Sequence, residues 1–221
     1  MAKRIKRHDA WMRTWHWTNL ISWAVLTITG LFLYVPALGT SLGQDFLNTG
    51  KMFHRIFAVL FIAVPLIIAV IKPRTFGDSF KNLFQKWDSD DKEFMKKFVP
   101  YLFAPHKYHM PKQYFVKSGQ RISDLVLYFL MIVIAITGVM LWVNVPGVWF
   151  RLALLGHDLA FLGMSLIMVI HIYLGGGLFQ PYRRSAGLML GDGTVGESDA
   201  LYHWGHWAEA ELESGENVIE V

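Results

Sequence analysis

Two histidines share one apolar stretch, GHDLAFLGMSLIMVIHIYLGGGLF at residues 156–179, with His157 near one end and His171 near the other. Fourteen residues separate them. On a helix rising about 1.5 Å per residue this is roughly 21 Å, and at about 100° per residue fourteen steps fall roughly 40° short of four full turns. Both imidazoles therefore face nearly the same way at two depths. An ionisable group deep in an apolar span is costly and marks a functional position. Neutral imidazole ligates metal, haem iron included. The spacing reads as one helix holding one ligand for each of two stacked cofactors.

The elements that must carry these ligands are membrane spans. Of the 221 residues, 53% are hydrophobic and 17% charged, against about 25% charged in a soluble domain, and the mean hydropathy is positive. The apolar residues fall in blocks of about 20, the length that crosses a hydrocarbon core of about 30 Å. Spans are expected at about residues 17–38, 53–71, 122–143 and 156–179. Trp11, Trp15, Trp17 and Trp23 gather at the mouth of the first, as an aromatic belt does, and Pro65 inside the second is tolerated in a membrane helix. Lys72-Pro73-Arg74 stops the second span and Gln180-Pro181-Tyr182-Arg183-Arg184 the fourth. In the long polar stretch 75–121, DKEFMKKFVPYLF reads as an amphipathic interfacial helix. Residues 185–221 form a polar tail, with one short helix expected around LYHWGHWAEAELE, and no internal repeat is evident.

The basic residues Lys3, Arg4, Lys6, Arg7 and Arg13, those of the 72–121 stretch and Arg183-Arg184 fall on one side of a four-span chain, while the two short loops opposite hold Lys51, Arg55 and Arg151. The positive-inside rule makes the basic side, with both termini, cytoplasmic. The basic start has no small-residue cleavage site after its apolar run and reads as a retained tail. A net charge of +4 is too small to argue for nucleic acid. With no cysteine in the chain, disulfides, iron–sulfur ligation and covalent c-type haem attachment are excluded.

This topology sorts four histidines by depth: His54 with His157 at the outer level, His16 with His171 at the inner one. Two pairs at two depths are what two bis-histidine b-type haems require, each iron taking one neutral imidazole on either side. The second ring nitrogen of each histidine then needs an acceptor such as a backbone carbonyl or water. Taken singly, a histidine at a membrane interface is more often a solvated side chain, and it is the match of depths that joins the four. His8, His106, His109, His203 and His206 read as solvated. Gly30 and Gly138 allow close approach of either a flat macrocycle or another helix. Arg13, Arg55 and Arg151 either meet haem propionates or snorkel to the interface.

With these residues in view, the chain resembles the cytochrome b (gamma) subunit of membrane-bound, quinone-linked formate dehydrogenase. That family belongs to a wider group with the cytochrome b subunits of nickel–iron hydrogenases and thiosulfate reductases. The resemblance covers nearly the whole chain. It is carried by Trp15-His16-Trp17, Gly50-Lys51-Met52-Phe53-His54, Lys117-Ser118-Gly119-Gln120-Arg121, Thr137-Gly138-Val139, the His157/His171 spacing and the segment from His203-Trp204 to Glu211. It implies that electrons reach an outer haem, held by His54 and His157, from an iron–sulfur subunit, pass to an inner haem held by His16 and His171, and leave to a quinone near Gly119, Gln120 and His171. It implies menaquinone or ubiquinone as acceptor, a molybdenum- or tungsten-containing catalytic subunit on which the substrate is oxidised, and a place in the bacterial inner membrane, with a higher oligomer of the complex allowed. Where family members often have Asn two residues before the glycine, this chain has Lys117, which either donates to a quinone carbonyl or sits in solvent.

The expectation is an all-α membrane protein: a four-helix transmembrane bundle binding two haem b over residues 1–184, followed by a cytoplasmic tail at 185–221. Its expected role is the quinone-reducing electron-transfer subunit of a formate dehydrogenase. The rivals are a cytochrome b subunit serving a hydrogenase or thiosulfate reductase type complex, and a haem-free membrane anchor. Without paired broken helices among its spans, the chain does not read as a transporter.

Overall fold

The computed structural model describes residues 3–177 and 185–220. The chain divides into two compact units, Asp9–Phe76 and a second made of Met1–His8 with Gly77–Val221. The end expected for the fourth span at Phe179, and the stop at Gln180 to Arg184, lie outside the described residues.

The first unit is a helical hairpin. Asp9 caps α1 (Ala10–Tyr34), its carboxylate accepting from the Met12 amide at 2.7 Å, which satisfies one of the orphan donors of a helix start. A short α2 (Pro36–Ser41) leads to Gly43, at φ 89°, a conformation open to glycine. From there α3 (Gln44–Ile71) runs 28 residues, straight through Pro65. The far end of the hairpin is tied to α4 (Pro73–Leu83), where the Thr75 hydroxyl donates to the Asp9 carboxylate at 3.0 Å and Phe76 packs on the Trp15 ring at 4.8 Å.

The second unit holds another hairpin, α6 (Ser118–Trp142) and α7 (Val148–Gly175), 25 and 28 residues long. Its turn passes through Asn144 at φ 55° and Gly147 at φ 68°. Small residues bring its two helices together: Ala153 and Ala160 are buried, a Cβ at Gly156 would stand 3.2 Å from the Thr137 methyl, and one at Gly163 would stand 3.0 Å from Leu130. This is how helices pack closely where lipid offers no hydrophobic drive.

All four long helices have the length and apolarity to cross a membrane. Large apolar side chains such as Leu66, Val70, Phe129, Leu162 and Leu166 stand exposed along them, the pattern of a lipid-facing surface. Each helix begins earlier than the expected span, at 10, 44, 118 and 148. The Asp9 cap on α1 and the polar first turns of α3 and α6 carry those helices beyond the stretch that hydropathy registers.

Between the hairpins in sequence, α5 (Ser89–Phe103) opens with a capping box of Asp88 and Asp91. Asp91 also pairs with Arg121 near the start of α6, and both are almost wholly buried. The Arg121 fork reaches the carbonyls of Val116 at 3.3 Å and Gln85 at 3.2 Å, and the Gln113 side-chain oxygen accepts from the Ser118 amide at 2.9 Å. A buried charge pair survives only when its remaining donors are met in this way.

The polar ends, expected as a basic tail and a tail with one helix, fold together instead. β1 (Lys3–Lys6) is the centre of an antiparallel sheet between β2 (Thr194–Gly196) and β3 (Val218–Glu220), with Arg4 opposite Gly196 on one side and Ile219 on the other. Three short helices, α8 (Gly187–Leu190), α9 (Glu197–His203) and α10 (Gly205–Ser214), complete this cap. Its core is Ile5, Leu188, Ala200, Trp204, Trp207 and Ala208.

Candidate functional site

Three of the four long helices, α1, α3 and α7, carry the four histidines sorted by depth. His54 lies near the start of α3 and His157 near the start of α7, each at the closed end of its hairpin; His16 and His171 lie at the open ends.

The two closed ends are built alike. The Thr29 hydroxyl lies 2.7 Å from the Val25 carbonyl and 2.9 Å from Nδ1 of His54. The Thr137 hydroxyl lies 2.7 Å from the Val133 carbonyl and 3.2 Å from Nδ1 of His157. A hydroxyl has one hydrogen, and the short bond to the carbonyl one turn back takes it. The oxygen is then left to accept, so in each histidine Nδ1 carries the proton and donates. The coordinating lone pair of the neutral ring therefore sits on Nε2. In both hairpins the residue after the threonine is glycine, and a Cβ there would stand 3.4 Å from Cε1 of His54 or 3.3 Å from Cε1 of His157. Gly30 and Gly138 thus make room for an imidazole, where the sequence left open a macrocycle or a helix.

Each hairpin also carries its two imidazoles at the same separation. His157 and His171 lie fourteen residues apart on one unbroken helix. In the other hairpin His54 abuts Gly30, which is fourteen residues along α1 from His16. Both separations come to roughly 21 Å along the helix. Along α1, Asn19 Oδ1, Trp23 Nε1 and Thr27 Oγ1 between the two levels, with Trp15 Nε1 just before His16, are buried polar atoms with no hydrogen-bond partner among the described residues. Such atoms are costly unless something polar meets them. The Nδ1–H imidazoles of His54 and His157, each beside a glycine, and the unmatched polar atoms along α1 are side-chain chemistry that fits b-type haem.

Thr29 was not singled out by the sequence reading, and Thr137 entered it only within Thr137-Gly138-Val139, with no role of its own. The signal was present: Ile28-Thr29-Gly30 and Ile136-Thr137-Gly138 are the same tripeptide, and each threonine is the twentieth residue of a 25-residue helix. The hairpins are an internal repeat of 25- and 28-residue helices, one too short in identical residues to register as a sequence repeat.

The three residues considered for quinone point in different directions. Lys117, the N-cap of α6, lies 4.8 Å over the Trp204 ring and 3.5 Å from Nδ1 of His203. Gly119 faces Phe94 at 3.7 Å and Met95 at 3.8 Å on α5, and the Gln120 amide donates to Asp124 at 3.3 Å on the exposed side. Burial and the nearby Arg7 lower the Lys117 pKa to about 7. Burial, then Lys117 and Arg7, push His203 down to about 3. The Arg7 guanidinium sits 4.2, 4.0 and 4.8 Å over the rings of Phe115, Trp204 and Trp207. Burial lowers its pKa to about 9, which leaves it charged at neutral pH.

Two histidines expected to be solvated are built into this cap. His206 pairs with Asp90 at 2.7 Å and stacks on Tyr114 at 4.6 Å, while His203 packs against Trp204 at 5.3 Å. Their partners come from α5 and from the strip before α6, contacts that local sequence does not announce.

The family described as prokaryotic cytochrome b561 matches residues 7–189, a stretch that includes both hairpins. No curated protein matches the chain.

Proposed function

Given that the chain belongs to the prokaryotic cytochrome b561 family, we propose that it is the dihaem membrane subunit of a formate dehydrogenase. Membership makes it a multi-pass membrane protein that binds b-type haem and transfers electrons. His54 and His157 would hold the outer haem, His16 and His171 the inner one. The observation that carries the assignment is the repeated hairpin, in which each unit bears two imidazoles fourteen residues apart along its helices, with the closed-end ring set by a Thr-Gly step. When bound, the haems supply two one-electron carriers that link an iron–sulfur partner on the outer side to membrane quinone near the cytoplasmic side. The helices fix the two depths, and their apolar side chains keep water from the path between them. Gln120, exposed on α6, and Lys117 at its cap remain the groups nearest the proposed quinone, where a neutral lysine with a lowered pKa can take up a proton. The resemblance of the histidine frame and of the His203-Trp204 to Glu211 segment supports a molybdenum- or tungsten-containing formate-oxidising partner in a bacterial inner membrane.

The test is substitution of each histidine by alanine in the membrane complex, with haem counted per chain by its reduced α-band. The expected result is a fall from two haems to one for each variant, with His54→Ala and His157→Ala losing one and the same haem. Retention of two haems by any of the four removes that residue from the ligand set. Copurification of a hydrogenase in place of a formate-oxidising subunit overturns the choice of donor.

A further inference from the structure

We infer that Thr29 and Thr137 are paired positioning residues for one haem, each acting through the imidazole it holds. The inference rests on the ligand assignment just made. Each hydroxyl donates its single hydrogen to its own helix, to Val25 or to Val133 at 2.7 Å. Each oxygen then accepts from Nδ1 at 2.9 or 3.2 Å. For His157 the Ile134 backbone also bonds the ring. A ring held as the Nδ1–H tautomer offers iron only Nε2, and the acceptor behind it makes that nitrogen a stronger donor. A stronger donor favours the oxidised metal. The glycine after each threonine sets the ring from the other side, since a Cβ at 3.3–3.4 Å from Cε1 would press on it.

The threonines belong to different hairpins but repeat one geometry. A threonine that served only helix packing would have no reason to stand beside a histidine at the same helical position in both hairpins.

The experiment replaces each threonine by valine, which keeps the shape and removes the acceptor, and by serine, which restores it. In the membrane complex, haem content, the midpoint potential of each haem and the low-spin electron paramagnetic resonance signal are measured. Thr29→Val and Thr137→Val are expected to retain two haems, to shift the potential of one and the same haem upward, and to broaden its signal. The serine variants are expected to return both towards the parent. Unchanged potentials with both haems retained overturn the inference and leave the ligand assignment standing, and so does a shift in two different haems. Retention of two haems by His54→Ala overturns the ligand assignment itself. Should the valine chains fail to accumulate, Thr29→Ala and Thr137→Ala carry the same test, and an unshifted potential there overturns the inference equally.

Discussion

The two hairpins agree at their closed ends and part company at their open ones. At the closed ends a Thr-Gly step on a 25-residue helix receives a histidine from a 28-residue helix in both. At the open ends the second histidine sits on α1 in one hairpin and on α7 in the other. Around His16 the hairpin is fastened by a hydrogen bond from Thr75 to Asp9. The open end of the second hairpin is fastened by a buried ion pair, Arg121 with Asp91, and by the folded cap. Repetition persists where the same ligand geometry is needed twice, and the divergence falls where the two units have different neighbours to hold.

The largest way to break this comparison is at the buried pair. Asp91→Ala leaves the Arg121 guanidinium buried, with only the Val116 and Gln85 carbonyls as acceptors from that fork. Removing one partner of a buried ion pair costs about 3–5 kcal/mol. The variant is therefore expected to release α5 from α6, seen as early proteolysis within residues 85–117. The closed-end haem should persist, because His157 and Thr137 lie at the far end of the same hairpin. Loss of that haem together with α5 would show that the two ends are not separable.

How much of this was legible beforehand follows the range of the interactions involved. The spans, their order and the four histidines could be read because hydropathy and helical spacing are local. The open alternatives at Gly30 and Gly138 were resolved only by structure, since the imidazole each receives comes from the next helix, 24 residues away at His54 and 19 at His157. Of the cap only helix around residues 201–213 was expected; its sheet and its packing were not. β1 is Lys-Arg-Ile-Lys, with one apolar residue to signal a strand, and it is held by segments about 190 and about 215 residues further along. His206 looked solvated because its partner, Asp90, is 116 residues away. Lys117 looked like a departure from a family pattern, and what it meets is Trp204 and His203 of that unforeseen cap.

A smaller test sharpens the contrast from the other hairpin. Thr75→Val removes the donor to Asp9 while Asp9 keeps its bond from the Met12 amide. Loss of one such hydrogen bond costs about 1 kcal/mol, so the first hairpin should lose a few degrees in thermal denaturation and keep its haem content. A loss as large as that of Asp91→Ala would mean that the two open ends are fastened with equal strength.

The last test belongs to the cap and is read through pH. His203 is held neutral when folded, with its pKa pushed from 6.5 to about 3, and Lys117 is lowered from 10.5 to about 7. In both cases the unfolded cap binds more protons than the folded one, so stability rises with pH across each window. The His203 contribution is complete above 6.5 and lost progressively as pH falls towards 3. The Lys117 contribution is complete only above 10.5 and is lost as pH falls towards 7. Amide exchange of residues 194–214, corrected for its intrinsic pH dependence, should therefore show the cap loosening from pH 6.5 downwards and tightening from pH 7 upwards. His203→Phe should remove the acid limb, and Lys117→Met should remove the alkaline limb and narrow the acid one, since Lys117 helps to push His203 down. The closed end of the second hairpin holds none of these groups, so the potential of the haem proposed at His54 and His157 should stay fixed while the cap loosens; a potential that tracks the cap would couple the cap to that closed end.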